Sequence, residues 1–108
     1  MTVSDVLNAA ADLIEPEGRW TQGAYARGVE GHVVLIRAEH AFCFCAAGAI
    51  YRASDAEIGA SPPATAAAFE AARDAMGVRL ISDFNDAPGR TQAEVVAALR
   101  KAAKGSAS

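Results

Sequence analysis

Ala41-Phe-Cys-Phe-Cys-Ala-Ala-Gly-Ala-Ile-Tyr51 carries no charge until Arg52 closes it, and the reading of this run decides the fold. Such a stretch is expected at the buried centre of the chain. As a helix over 41–53 it places Phe42, Cys45, Ala46, Ala49, Ile50 and Ala53 on one face, with Phe44, Ala47 and Tyr51 covering much of the rest. A helix apolar nearly all round must be wrapped by others. The strand alternative fits 33–44 only in part, because Ala46-Ala-Gly-Ala does not alternate and has poor strand propensity. Gly48 inside a helix costs about 1 kcal/mol relative to alanine, so it marks a place where another backbone packs close. The run is also too short for a bilayer, which takes roughly 20 apolar residues.

Amphipathic segments lie on both sides of this run. Val3, Val6, Leu7, Ala10, Leu13 and Ile14 form a helical stripe that Thr2 or Ser4 can cap, with Asp5 well placed for the dipole and Pro16 and Gly18 ending it. Tyr25 to Arg37, with Val33 to Ile36 apolar beyond Gly28 and Gly31, reads as a small β-hairpin over about 25–36 that shields one end of the central helix. Ser54-Asp-Ala-Glu57 matches a capping box, although Gly59 and the Pro62-Pro63 pair leave room for only one turn. Ser61 is then expected to cap a helix with Thr65, Ala68, Phe69, Ala72 and Met76 inside and Gly77 at its end. Residues 78–84 fit a strand or a short helix, and helix is preferred, with Leu80, Ile81 and Phe84 on one side. Asn85-Asp-Ala-Pro-Gly is turn chemistry. Thr91-Gln-Ala-Glu94 opens the closing helix, whose buried stripe is Val95, Ala98, Leu99 and Ala102. The expected architecture is one mainly α domain over 1–104, with about four main helices around the central one and a frayed tail at 105–108.

With 108 residues, 52% of them hydrophobic and a net charge of −3, the chain fits one globular core and argues against general nucleic-acid binding, which calls for a basic face. The start lacks a basic, apolar secretory leader, so a cytoplasmic location is expected, with both cysteines reduced. Cys43 and Cys45 would point about 200° apart on a helix and could not share a metal by that route.

The segments Trp20-Thr-Gln-Gly23, Cys43-Phe-Cys-Ala-Ala-Gly-Ala-Ile50, Arg52-Ala53, Phe84-Asn-Asp86, Arg90-Thr91 and Glu94-Val95 occur together in one order. In these the chain resembles an uncharacterised family of small bacterial and phage proteins, domain of unknown function family 6197, over about residues 5 to 103. It differs at Phe44 and Phe84, where the family commonly has tryptophan. The resemblance supports the fold and brings no activity with it.

The polar residues of those segments are expected to meet near the central helix. In one arrangement they form a hydrogen-bonded clasp: Asn85 and Asp86 satisfy turn amides, Arg90 pairs with Asp86 or Asp83, Gln22 meets a backbone need, and Trp20 lies over the core edge. In another they form a contact surface, Trp20, Thr21, Gln22, Asn85, Asp86 and Arg90, through which a small interaction or regulatory module binds a protein partner or itself, without cofactor or membrane. A chain of this length is expected to leave little room for a deep pocket. The alternative is a small enzyme or small-molecule binder at the same patch, with Cys45 as nucleophile, His40 or His32 as base and Asn85 or Asp86 orienting it. An apolar setting raises a thiol pKa, so the cysteines are expected to be structural. No metal site is expected, since no second ligand pair has zinc-like spacing.

Overall fold

Thr2 opens the first helix in the computed structural model, which describes residues 1–56, 58 and 62–106. Its hydroxyl accepts from the Asp5 amide at 3.0 Å while the Asp5 carboxylate accepts from the Thr2 amide at 3.1 Å. That exchange satisfies donors the helix itself leaves unpaired. Helix α1 runs Val3–Ile14 and buries Val6, Leu7, Ala10, Ala11 and Ile14. The closing helix, α5 (Gln92–Gly105), begins with the same capping box from Thr91 and Glu94 and packs along α1. Arg100 ties the pair together, reaching Asp12 at 2.6 Å and Glu15 at 3.1 Å. The Gln92 side chain donates to the carbonyls of Ile14 at 2.5 Å and Pro16 at 2.8 Å, and so caps the end of α1. Helix α5 includes Gly105, one residue past the expected boundary, and the Ser106 hydroxyl donates back to Ala102 at 2.9 Å.

The central run is buried, but it is not one helix. Its first half is extended: β1 (Ala26–Arg27) pairs antiparallel with β2 (Cys43–Phe44), and only then does α2 run Ala46–Ser54. The expected helix over 41–53 is corrected at its start because neighbouring strands claim the backbone. The Phe42 amide donates to Arg27 at 2.9 Å, the Phe44 amide to Arg19 at 2.9 Å, and the Cys45 amide to Tyr25 at 3.2 Å. These bonds compete with helical pairing for the same donors. Cys45 is the N-cap, and its sulfur accepts from the Gly48 amide at 3.3 Å. Gly48 does mark a close approach: a Cβ there would run into the Tyr25 carbonyl.

The 25–36 segment turns tightly, with the Gly28 amide on the His32 carbonyl at 2.9 Å and a single bridge between Arg27 and Val33. Its two-residue ladder pairs with 43–44 rather than within 25–36, because the later stretch leaves the sheet at a turn after Leu35. Ser54 closes α2 instead of capping a new helix, its hydroxyl donating to Ile50 at 2.7 Å. Glu57 and Ser61, assigned capping roles above, lie outside the described residues; Pro62 is the N-cap of α3 (Pro63–Met76). Thr65, Ala68, Ala72 and Met76 are buried along α3, and Gly77 ends it at φ 71°. The short α4 spans Ile81–Asn85, with Ile81 buried and Phe84 half-buried. Leu80, expected inside, is exposed. The fold is therefore mainly α, with four longer helices, one short one and a minor antiparallel β element among the described residues.

Candidate functional site

Asn85 ends α4 with no exposed surface. Its Oδ1 accepts from Trp20 Nε1 at 2.7 Å and from the Ala46 amide at 3.0 Å; its Nδ2 donates to the Thr21 carbonyl at 3.0 Å and to Asp86 Oδ1 at 2.8 Å. A carboxamide has two donor hydrogens and an oxygen with two lone pairs, so Asn85 is fully used. The Ala46 amide is one of the donors left unpaired at the start of α2, which makes Asn85 a cap supplied from 39 residues away. Around it, Gln22 Nε2 donates to the Asn85 carbonyl at 2.9 Å, and the Gly23 amide donates to Asp86 Oδ1 at 3.1 Å.

Trp20, Thr21, Gln22, Asn85 and Asp86 thus meet at the start of α2. Arg90 does not join them through Asp86 or Asp83. It donates to the Phe84 carbonyl at 2.8 Å, stacks 3.7 Å over the Phe84 ring and approaches Glu94 at 3.6 Å, because capping of α5 brings Glu94 one turn away from it. Arg27, not singled out from the sequence, fastens the clasp to the β element: it donates to Thr21 Oγ1 at 3.1 Å, Gln22 O at 3.3 Å and Gly31 O at 3.0 Å.

Beside this clasp lies a cavity of about 690 Å³, against the expectation of little room. One wall is Val33, Val34, Leu35 and Ile36; the other is Phe69 and Arg73 of α3 with Leu80, Ile81 and Ser82. Cys45, Ala47 and Asp86 lie at the clasp side. The first wall is pinned, not loose: the Val34 amide donates to Ala26 at 3.2 Å, and Arg52 donates to the carbonyls of Ile36 at 2.7 Å and Ala38 at 3.1 Å. Tyr51 packs on Phe69 with the rings tilted by 49° and their centroids 4.8 Å apart, and it meets Tyr25 edge-on at 6.0 Å, which supports the other side. Arg73, Phe69, Leu80 and the 33–36 wall were invisible as site residues in the sequence, since a helix residue and a hairpin carry no signal that they face each other.

Burial pushes the Cys45 thiol up from its ordinary range, and the nearby Asp86 charge pushes the same way, against the Gly48 and Ala47 amides that favour the thiolate. His40 and His32 are exposed, with rings 6.5 Å apart, and among the described residues neither hydrogen-bonds to Cys45 or lines the cavity. The two cysteines are free thiols; Cys43 donates weakly to the Arg27 carbonyl at 3.8 Å. Among the described residues no group of three or more His, Cys, Asp or Glu side chains is placed to hold a metal, and no helix is long and apolar enough to cross a membrane.

No curated protein and no solved structure matches the chain. The model of a family of unknown function, DUF6197, matches residues 1–105, which include the clasp and both walls of the cavity; the chain belongs to that family.

Proposed function

We propose that this chain is a cytoplasmic binding domain that takes an apolar small molecule into the cavity between 33–36 and helices α3 and α4. The observation that carries this reading is the cavity itself: about 690 Å³ in a chain of 108 residues, walled mainly by aliphatic and aromatic side chains with a few polar groups. Small-molecule sites commonly have that size and lining. Val33, Leu35 and Leu80 are large, apolar and exposed on its rim, where a soluble protein gains nothing from them unless something is bound.

The expected protein-binding surface at Trp20, Thr21, Gln22, Asn85, Asp86 and Arg90 has less to offer. The Trp20 N–H, the Gln22 amide and both ends of Asn85 are already spent inside the fold. A partner would have to break those bonds before making its own. Thiol catalysis is also disfavoured, since a protonated, buried Cys45 is a poor nucleophile. The test is amide chemical-shift mapping during titration with a small neutral apolar alcohol. Shifts concentrated at 33–36, 69–73 and 80–82 are expected; shifts scattered over the surface, or none, would remove the cavity as a binding site.

A further inference from the structure

Most arginines elsewhere in this chain are occupied: Arg27 and Arg52 hold backbone carbonyls, Arg90 sits on Phe84, and Arg100 bridges to Asp12 and Glu15, while Arg79, without a partner among the described residues, stands exposed outside the cavity lining. Arg73 is different. It lines the cavity from α3 and is half-buried, and among the described residues its guanidinium has neither a hydrogen-bond nor an ion-pair partner. Taking a charge partly out of water without pairing it is unfavourable, and a planar guanidinium has donors arranged to grip a carboxylate with two parallel bonds.

The carboxylate that shares the cavity does not fill this role. Asp86 and Arg73 line the same space, yet no ion pair joins them, and Asp86 Oδ1 already accepts from the Gly23 amide and Asn85 Nδ2 on the clasp side. Among the described residues the lining therefore has one uncommitted cation, on α3, beside the aliphatic and aromatic surface of Val34, Ile36, Phe69 and Ile81.

We infer that the ligand is an apolar monocarboxylate, with its head on Arg73 and its hydrocarbon part along that surface. This rests on the cavity being the binding site, and the experiment separates the two claims. Octanoate, 1-octanol and octylamine have the same eight-carbon skeleton and differ chiefly in the charge of the head. Each is titrated calorimetrically into the wild type, Arg73→Gln and Arg73→Lys, after melting curves establish that the variants are folded.

The wild type should bind octanoate more tightly than octanol by about tenfold or more, the range expected for a charge-assisted hydrogen-bonded pair. Arg73→Gln should bring the two to near equality, octanoate losing far more than octanol, and Arg73→Lys should keep part of the preference, because it retains the charge and loses the fork. Equal binding of octanoate and octanol by the wild type, a preference for octylamine, or a preference that survives in Arg73→Gln would overturn the carboxylate assignment and leave the cavity standing. Failure of all three ligands to bind the wild type would overturn both. The wild-type ratio decides the matter even if a variant does not fold.

Discussion

The clasp around Asn85 and the cavity beside it share Asp86 and Cys45 as neighbours, yet they treat their polar and apolar groups in opposite ways. In the clasp, each hydrogen-bonding atom of a buried carboxamide meets a partner from a distant part of the chain. In the cavity, large aliphatic side chains stand in solvent and an arginine has no partner among the described residues. Full satisfaction is what a fold needs at a junction between segments, because an unpaired buried group costs more than a formed bond returns. Unspent groups on pinned walls are what a receptor needs. On the function proposed above, Trp20, Thr21, Gln22, Asn85 and Asp86 belong to the first kind of region and the cavity to the second.

The largest effect in this comparison should come from the backbone contact that seats α2 under the β element. Gly48→Ala places a methyl group against the Tyr25 carbonyl, which is main chain and cannot rotate away. Overpacking typically costs 1–3 kcal/mol and sometimes more. A loss of about 3 kcal/mol is expected here, beyond the roughly 1 kcal/mol that alanine returns in helix propensity. Chemical denaturation measures it, and a variant as stable as wild type would show that the close approach is dispensable.

Asn85→Leu tests the clasp directly. It leaves the Trp20 N–H, the Ala46 amide and the Thr21 carbonyl without their partner, and an expected cost of about 2 kcal/mol follows from stranding buried polar groups. Tryptophan fluorescence should shift in the same variant, because the indole loses its acceptor. A stability change under 1 kcal/mol would mean that water replaces the side chain without difficulty.

Cys45 joins the two regions, and its response to pH has a definite sign. Its thiol is raised in the fold by burial, so the thiolate is disfavoured in the native state relative to the unfolded chain. Stability from this group is therefore fully present below the unfolded pKa and is lost as pH rises from there toward the folded value. Cys45→Ser should reduce the alkaline loss of stability, and the wild-type thiol should react with a thiol reagent slowly when folded and quickly when unfolded. Rapid labelling of native Cys45 at neutral pH would contradict the assignment of a buried, protonated group.

The smallest stability effect belongs to the cavity rim. Leu35 is 81% exposed, so Leu35→Ser should change unfolding free energy by no more than about 0.5 kcal/mol while weakening ligand binding. If instead it destabilises the fold as Asn85→Leu does, the wall is a structural element and the contrast between the regions collapses.

Much of this molecule could be read from one dimension. The stripe in α1, the Thr91–Glu94 capping box, the terminating Gly77 and the close approach at Gly48 are consequences of local spacing, and the helices that follow from them are the ones observed. These features depend on residues within a turn or two of one another, or on the absence of a side chain where one is costly. The order of Trp20-Thr-Gln and Asn85-Asp also pointed to a meeting of those loops, although not to Asn85 as the cap of α2. What the sequence could not settle is where Cys43 and Phe44 find their hydrogen bonds. Local propensity allowed a helix through 41–53, and tertiary pairing with 19–27 drew its first residues into a strand. The cavity is still less local. Arg73 looks like any arginine on an amphipathic helix, and Val33 to Ile36 like half of a hairpin, until the fold sets one across from the other. Periodicity records which side of an element is apolar; only the packing of distant elements decides which of those sides remain uncovered.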